Sequence, residues 1–116
     1  MNIEAFRAIC LTMPGATEDI KWGNDLCFSV GGKMFAITSA SPTPDFGCSL
    51  KCDPETFAVL TQRENIEPAA YVGRYHWIAV KRADALTTKE WKERIKASYD
   101  EVFVKLPAKM RKSIQP

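Results

Sequence analysis

The residues best suited to chemistry lie in one short segment, Arg74-Tyr75-His76-Trp77. Aromatic rings stack on nucleic-acid bases and cationic side chains contact phosphates, so this composition indicates a nucleic-acid surface. Side chains on a strand alternate between its two faces, which prevents all four from serving one surface. We therefore expect Trp77 to be buried, because of its size, and Arg74 and Tyr75 to be exposed contacts.

Signatures of catalysis are missing from the sequence. His76 is the only histidine, and no serine or cysteine near it forms a nucleophile motif. Gly31-Gly32 lacks the further glycines and the Lys-Ser/Thr of a phosphate-binding loop. Glu18 and Asp19 are adjacent, so they do not form the opposed carboxylates of a glycosidase. We expect no enzymatic activity, no catalytic residue and no cofactor.

The four cysteines do not follow a metal-binding pattern. Cys48 and Cys52 are four positions apart, and Cys10 and Cys27 lie in distant segments. No Cys-x-x-Cys pair is present, and a zinc site would need ligands from three separate regions. We expect buried, reduced thiols and no bound metal.

Length and composition indicate one compact domain spanning residues 1–116, since 46% of the residues are hydrophobic and 26% are charged. The N-terminus lacks the basic start and apolar run of a secretory signal. No stretch approaches the roughly 20 apolar residues that span a bilayer. These features predict a cytoplasmic protein without a membrane partner.

The formal net charge of +2 is too small to indicate an anionic partner, but its distribution along the chain is uneven. Residues 1–73 carry a net charge of −4, whereas residues 74–116 carry +6. Such segregation favours a phosphate-facing patch. The candidate nucleic-acid-binding residues are Lys33, Lys51, Arg74, Tyr75, His76, Lys81, Arg82, Lys105, Lys109, Arg111 and Lys112.

Hydrophobic periodicity and turn residues predict the elements that position these side chains. Asn2 caps a first helix that stops at Pro14-Gly15. A β-hairpin turns at Gly31-Gly32, pairing Val30 with Lys33, Phe28 with Phe35 and Leu26 with Ile37. The composition of residues 39–46 indicates a loop.

The second half of the chain alternates strands and helices. A strand over residues 47–52 is followed by a helix capped by Asp53 and running to about Arg63. After a packed connection comes a strand over residues 76–81. A capping box at Thr87–Glu90 opens a long helix that ends at Pro107, beyond which a basic tail remains. This order predicts an α+β fold in which helices pack on one face of an antiparallel β-sheet.

Six short motifs carry a resemblance to a known family. They are GKMFA (32–36), SLKCDPE (49–55), IEPAAY (66–71), HWIAV (76–80), SY (98–99) and LP (106–107). In this order they resemble the MmcQ/YjbR family of small bacterial proteins over nearly the whole chain. The resemblance implies a two-layer sandwich similar to frataxin and CyaY.

The resemblance also implies DNA binding, through β-hairpins similar to a double-wing arrangement. Related sequences often carry two lysines after the Leu-Pro motif, whereas this chain has Ala108-Lys109. A frataxin-like fold raises iron binding as a rival function. The first helix offers only Glu4 as an acid, so it lacks a ridge of oxygen ligands for iron.

Two functions follow as hypotheses. The first is a DNA-binding protein with a regulatory role that recognises the phosphate backbone of double-stranded DNA, since no helix carries a row of base-reading side chains. The alternative is a non-catalytic module that binds a protein or small molecule, through the exposed sheet face or a pocket beside Trp22, Trp77 and Tyr71. A continuous basic face favours DNA, whereas a deep aromatic pocket favours a ligand.

Overall fold

The computed structural model of the protein describes residues 1–39 and 46–116. The helices in these ranges are α1 (Ile3–Leu11), α2 (Pro54–Leu60), α3 (Thr88–Phe103) and α4 (Ala108–Ile114). The strands are β1 (Thr17–Lys21), β2 (Asp25–Val30), β3 (Lys33–Ser39), β4 (Cys48–Lys51), β5 (Ile66–Pro68) and β6 (Trp77–Val80). Short 3-10 turns lie at Gly73–Tyr75 and Ala83–Ala85.

The strands form one antiparallel sheet in the order β1-β2-β3-β4-β6-β5. Its inner face is apolar, and Phe28, Leu50 and Ile78 are fully buried there. Helix α3 crosses β2, β3 and β4 on this face, and α1 packs beside α3. The predicted α+β class, with helices on one face of an antiparallel sheet, is confirmed.

Aromatic side chains join the two layers at the centre of the core. The ring of Phe6 on α1 lies 5.9 Å from that of Phe28 on β2 and 6.1 Å from that of Trp91 on α3, both edge to face. The indole N–H of Trp91 donates a hydrogen bond of 2.8 Å to the carbonyl of Ala83. The indole ring of Trp91 is therefore buried without leaving its N–H donor unpaired.

The predicted hairpin forms, but its register is wrong beyond the turn. Val30 pairs with Lys33, and a β-bulge between Phe28 and Ser29 then shifts the pairing by one residue. Phe28 consequently pairs with Ala36 instead of Phe35. Because a one-residue slip moves a side chain to the opposite face, Ile37 lies on the outer face and not beside Leu26.

The helix starts follow the predicted caps. The side chain of Asn2 accepts from the N–H of Ala5, and that of Asp53 accepts from the N–H of Thr56, each at a helix N-terminus. Thr87 and Glu90 form the predicted capping box, with both reciprocal hydrogen bonds present. The helix ends differ from prediction, since α2 ends at Leu60 and α3 at Phe103.

Three elements were not predicted. Strand β1 is an edge strand whose residues are mostly exposed and polar, so it lacks an alternating apolar pattern. Strand β5 has only three residues. The segment predicted as a basic tail contains helix α4.

Helix α4 docks on glycines of two turns. A methyl group at Gly31 would lie 2.6 Å from Sδ of Met110, and one at Gly15 would lie 2.8 Å from Cγ2 of Ile114. The missing side chains let the C-terminal helix approach the backbone. The expected loop over residues 39–46 falls largely on residues 40–45, which lie outside the described residues.

Candidate binding site

A cavity of about 370 Å³ lies where the outer face of the sheet meets the end of α3. Its surface is mostly apolar, with lysine side chains among the lining residues. The lining residues are Lys33, Met34, Ile37, Lys51, Val72, Trp77, Glu101, Val102, Lys105, Leu106 and Pro107.

Three neighbouring strands supply one wall of this cavity. Lys51 on β4 pairs with Trp77 on β6, and both side chains face away from the main core. Met34 and Ile37 lie on the same outer face of β3, Ile37 because of the bulge in the hairpin. Trp77 is only 8% exposed, which confirms its predicted burial.

The segment after α3 supplies the opposite wall. Helix α3 ends at Phe103, and Leu106 then reaches the β2–β3 turn, where a methyl group on Gly31 would lie 2.8 Å from Leu106 Cδ1. This close approach brings Lys105 to the same end of the sheet as Lys33, the first residue of β3.

Lys51 is held in place by its backbone. Its N–H donates a hydrogen bond of 2.8 Å to Oγ of Ser98 on α3. The Ser98 hydroxyl in turn donates to the carbonyl of Phe35 at 2.5 Å. The ammonium group of Lys51 donates to the carbonyl of Tyr75 at 3.5 Å. The root of this side chain is therefore fixed to both layers of the fold.

The surroundings of Lys51 disfavour its charged form. Burial lowers the pKa of the Lys51 ammonium, and the positive charge of Lys105 lowers it further, while Glu101 raises it. None of the three lining lysines, Lys33, Lys51 and Lys105, forms an ion pair with a carboxylate of the described residues. The cavity therefore has cations available to an anionic ligand.

The predicted site residues separate into groups. Lys33, Lys51 and Lys105 line the cavity together. The carbonyl of Tyr75 contacts Lys51, and the guanidinium of Arg74 lies 4.9 Å from the centroid of the Tyr75 ring. Arg74 and Tyr75 are exposed, as predicted.

His76 does not begin the strand. It follows the 3-10 turn with φ of 67°, in the left-handed region, and β6 starts at Trp77. Its ring lies edge to face with that of Phe57, with the centroids 5.4 Å apart. Packing against α2 therefore accounts for the position of His76.

Lys81 and Arg82 lie at the other end of β6, away from the cavity. Lys81 forms an ion pair with Glu67 at 3.5 Å, and Arg82 forms one with Asp84 at 3.2 Å. A single patch joining all the candidate cations is thus not formed. The remaining candidates lie on α4, and they are Lys109, Arg111 and Lys112.

The expected pocket beside Trp22, Trp77 and Tyr71 is only partly correct. Trp77 lines the cavity, and Tyr71 is 97% exposed in the adjoining loop. Trp22 is 69% exposed in the turn after β1, at the end of the sheet where Asp25 pairs with Ser39. Lys33 lies at the opposite end of β3, so Trp22 is remote from the cavity.

Sequence reasoning missed several walls of the cavity. Ile37 was predicted on the inner face beside Leu26, and the bulge moves it to the outer face. Val102 and Leu106 are buried in the core as well as lining the cavity, and their apolar side chains by themselves indicate only a core position. Glu101 stands next to that stripe, and nothing in the sequence distinguishes it from a solvent-exposed acid.

The thiols are in environments that suppress their reactivity. All four cysteines are buried, as predicted. Burial raises the pKa of Cys10 to about 12 and that of Cys52 to about 11. Since the thiolate is the reactive form, nucleophilic chemistry at these positions is disfavoured near neutral pH.

Two kinds of feature are absent from the described ranges. In residues 1–39 and 46–116, no three His, Cys, Asp or Glu side chains group in the manner of a metal site. No helix within those ranges is both long and apolar enough to cross a membrane.

Comparisons with known proteins identify a family and a fold. The family model YjbR matches residues 11–101. A crystal structure from Deinococcus radiodurans, with the domain DUF419, is similar at a TM-score of 0.88 and 26% identity, covering 97% of this chain and 87% of the other. A crystal structure from Pseudomonas syringae is similar in fold at a TM-score of 0.72 and 21% identity, covering 88% and 99% respectively. No curated protein matches the chain significantly.

Proposed function

Because the chain belongs to the YjbR family, as a match over residues 11–101 establishes, we propose a function that rests on its fold and on one cavity: it is a non-catalytic module that binds a small organic anion. The observation that carries the proposal is the convergence of Lys33, Lys51 and Lys105 on one apolar cavity. The predicted resemblance to the family is confirmed, whereas a likeness to CyaY stays a prediction.

The lining chemistry defines the class of ligand. Pockets for small molecules have volumes of roughly 300–1,000 Å³ and are mostly apolar, with a few polar groups that fix orientation. This cavity, at about 370 Å³, belongs at the small end of that range. Its apolar walls suit a hydrocarbon or aromatic body, and its lysines suit one carboxylate, sulfonate or phosphate group.

A fluorescent probe of this chemistry tests the proposal. The dye 8-anilinonaphthalene-1-sulfonate joins an apolar ring system to one anionic group. We expect saturable binding at one site per chain, with a rise in dye fluorescence. Met34→Glu places a carboxylate in the cavity wall and should weaken binding at least about tenfold, since like charges repel strongly in a desolvated site.

A matched variant separates this effect from a general change in charge. Val59→Glu adds the same group on α2, where Val59 is 67% exposed and outside the cavity. It should leave dye binding unchanged. Lys105→Met retains the apolar stem of the side chain and should also weaken binding. Absence of saturable binding, or equal binding by all these proteins, would overturn the proposal.

DNA is the second candidate partner, and the distribution of unpaired cations favours it. Lys33, Lys51 and Lys105 line one cavity, and Lys51 contacts the carbonyl of Tyr75, whose ring lies against the exposed Arg74. In this reading, the cations on α4 extend the surface, and phosphates of either strand neutralise them with release of counterions. The contacts are to the backbone, so little sequence preference is expected.

Salt-dependent binding of a labelled duplex tests this second function. Affinity should fall as salt rises, and it should fall in Lys33→Ala and Lys105→Ala. Lys81→Ala is the matched control, because Lys81 lies at the other end of β6 and is paired with Glu67. No binding at low ionic strength, or a salt slope near zero, would exclude DNA as the partner.

A further inference from the structure

Lys51 differs from the other two lysines of the cavity in being only partly exposed, and a buried side chain holds its backbone. Its N–H is hydrogen-bonded to Ser98, whose side chain is fully buried and bridges to the carbonyl of Phe35. Lys33 and Lys105 are exposed residues at the cavity margin. Lys51 therefore presents its amine from a fixed root on a central strand.

The groups around the Lys51 amine favour its neutral form, which is the nucleophilic form. No carboxylate of the described residues forms an ion pair with it, and its polar contact is the Tyr75 carbonyl at 3.5 Å. Lys105 and Glu101 act on it electrostatically, and Lys33 lines the same cavity. A lysine that is desolvated and lies beside another cation loses its proton more readily, and its neutral amine is a nucleophile.

Building on the proposed anion-binding function, we propose that Lys51 captures a carbonyl-bearing ligand by forming a reversible imine in this cavity. The neutral Nζ of Lys51 attacks the carbonyl carbon and the C=O π electrons move to oxygen, giving a carbinolamine after proton transfer. Loss of the hydroxyl as water, with one proton supplied to it, leaves a C=N bond to Nζ. No oxidant or reductant is required.

The remaining cavity residues indicate which groups the ligand carries besides its carbonyl. Lys33 and Lys105 attract a carboxylate or phosphate near the carbonyl, and Met34 and Trp77 receive an apolar body. Glu101 is a carboxyl group of the lining and can carry the proton that leaves with water. The ligand class is thus a 2-oxo acid, or an anionic aldehyde, with an apolar substituent.

Borohydride trapping tests the imine directly. Phenylpyruvate combines a 2-oxo acid with an aromatic ring, and sodium cyanoborohydride reduces an imine to a stable secondary amine. We expect one adduct per chain, located on Lys51 by peptide mass spectrometry. Lys51→Arg keeps the positive charge but lacks the nucleophilic amine, and it should lose the adduct at this site. Lys89→Arg, at an exposed lysine of α3 outside the cavity, is the matched control and should retain the adduct on Lys51.

A second ligand separates this inference from the function beneath it. Phenyllactate has a hydroxyl in place of the carbonyl, so it should compete with the dye without being trapped. If neither acid displaces the dye, the proposed function fails for this ligand class. If both displace the dye, yet Lys51 is modified no more than the exposed lysines, the function stands and the imine is refuted.

The rate of trapping against pH provides a readout that misfolding cannot imitate. Lys51 should react at lower pH than exposed lysines, because burial and Lys105 lower its pKa. Lys105→Met removes the repelling charge, with Glu101 and Lys33 still in place, and should move the profile of Lys51 to higher pH. An unchanged profile in Lys105→Met, or one that coincides with that of the exposed lysines, would contradict the proposed environment.

Discussion

The backbone N–H of Lys51 donates a 2.8 Å hydrogen bond to the hydroxyl of Ser98, which lies 47 positions later in the chain. This contact joins the central strand β4 to helix α3. The single proton of the Ser98 hydroxyl is donated to the carbonyl of Phe35. One buried hydroxyl thus links β3, β4 and α3 beneath the cavity.

Removing this hydroxyl should destabilise the fold. Ser98→Ala leaves the N–H of Lys51 and the carbonyl of Phe35 without their partner, and a buried unsatisfied group costs about 1–3 kcal/mol. We expect a loss of that size in the free energy of unfolding, measured with urea. Ser113→Ala is the control, because its hydroxyl bonds an exposed carbonyl on α4. Equal stability of the two variants would contradict the bridging role.

The β2–β3 turn offers a paired test of the docking of α4. Gly31 and Gly32 both have positive φ, at 58° and 80°, so alanine strains the backbone at either position. Only Gly31 faces Met110 and Leu106, while a methyl group at Gly32 meets nothing within 4 Å. Gly31→Ala should therefore cost about 1–3 kcal/mol more than Gly32→Ala. Thermal unfolding of both variants measures the difference. Equal losses of stability would mean that α4 moves to accommodate the added methyl group.

The capping box predicts a component of acid sensitivity. Arg63, and then the N–H of Thr87, lower the pKa of Glu90 from 4.5 to about 2. A carboxyl whose pKa is lower in the folded state stabilises the fold above its unfolded pKa, and that stability disappears as pH falls towards the folded value. The contribution of Glu90 should therefore be lost between about pH 5 and pH 2.

Replacing the carboxyl isolates that contribution. Glu90→Gln should lower stability at pH 7 by about 1 kcal/mol, since the ion pair is largely exposed and screened by solvent. Its stability should then decline less steeply with acid than that of the wild type, followed by urea unfolding at several pH values. Glu93→Gln, which disrupts only a 3.9 Å pair with Lys89, should retain the wild-type profile. A parallel decline in wild type and Glu90→Gln would refute the linkage.

Trp22 should be dispensable for stability. It is 69% exposed and has φ of 50°, a conformation that costs a bulky side chain free energy. Trp22→Gly should raise the free energy of unfolding by up to about 1 kcal/mol, because glycine adopts this region without strain. Trp91→Ala should instead cost about 3–5 kcal/mol, because Trp91 is buried. A comparable loss in both would mean that Trp22 has a structural partner.

Local signals were sufficient for most of the fold. The cap side chains of Asn2, Asp53 and Thr87 each accept a hydrogen bond from the backbone three residues later, so a short stretch of sequence is enough to predict them. The turn at Gly31-Gly32 is equally local. By contrast, the bulge beside Phe28 depends on packing of both Phe35 and Ala36 under α3, which no short window reveals.

The cavity was less predictable because its residues come from distant segments. Lys51 and Lys105 were both among the candidate cations, but their proximity follows from the path of the chain after α3. The total charge also does not show which cations form ion pairs with acidic side chains. Lys81 and Arg82 looked equivalent to Lys51 in the sequence, and only the fold separates paired from unpaired charge.

Under the proposed function, the cavity wall formed by Lys105, Leu106 and Pro107 allows ligand preference to differ between family members. The match to the family model ends at residue 101, so Lys105 lies outside it, whereas Leu106-Pro107 is one of the motifs that resemble the family. Family members that share the sheet and α3 therefore need not share every wall of the cavity. Under the proposed function, family members that share this scaffold can differ in ligand through the residue at position 105, so the ligand of one member should not be assigned to another without comparing that residue.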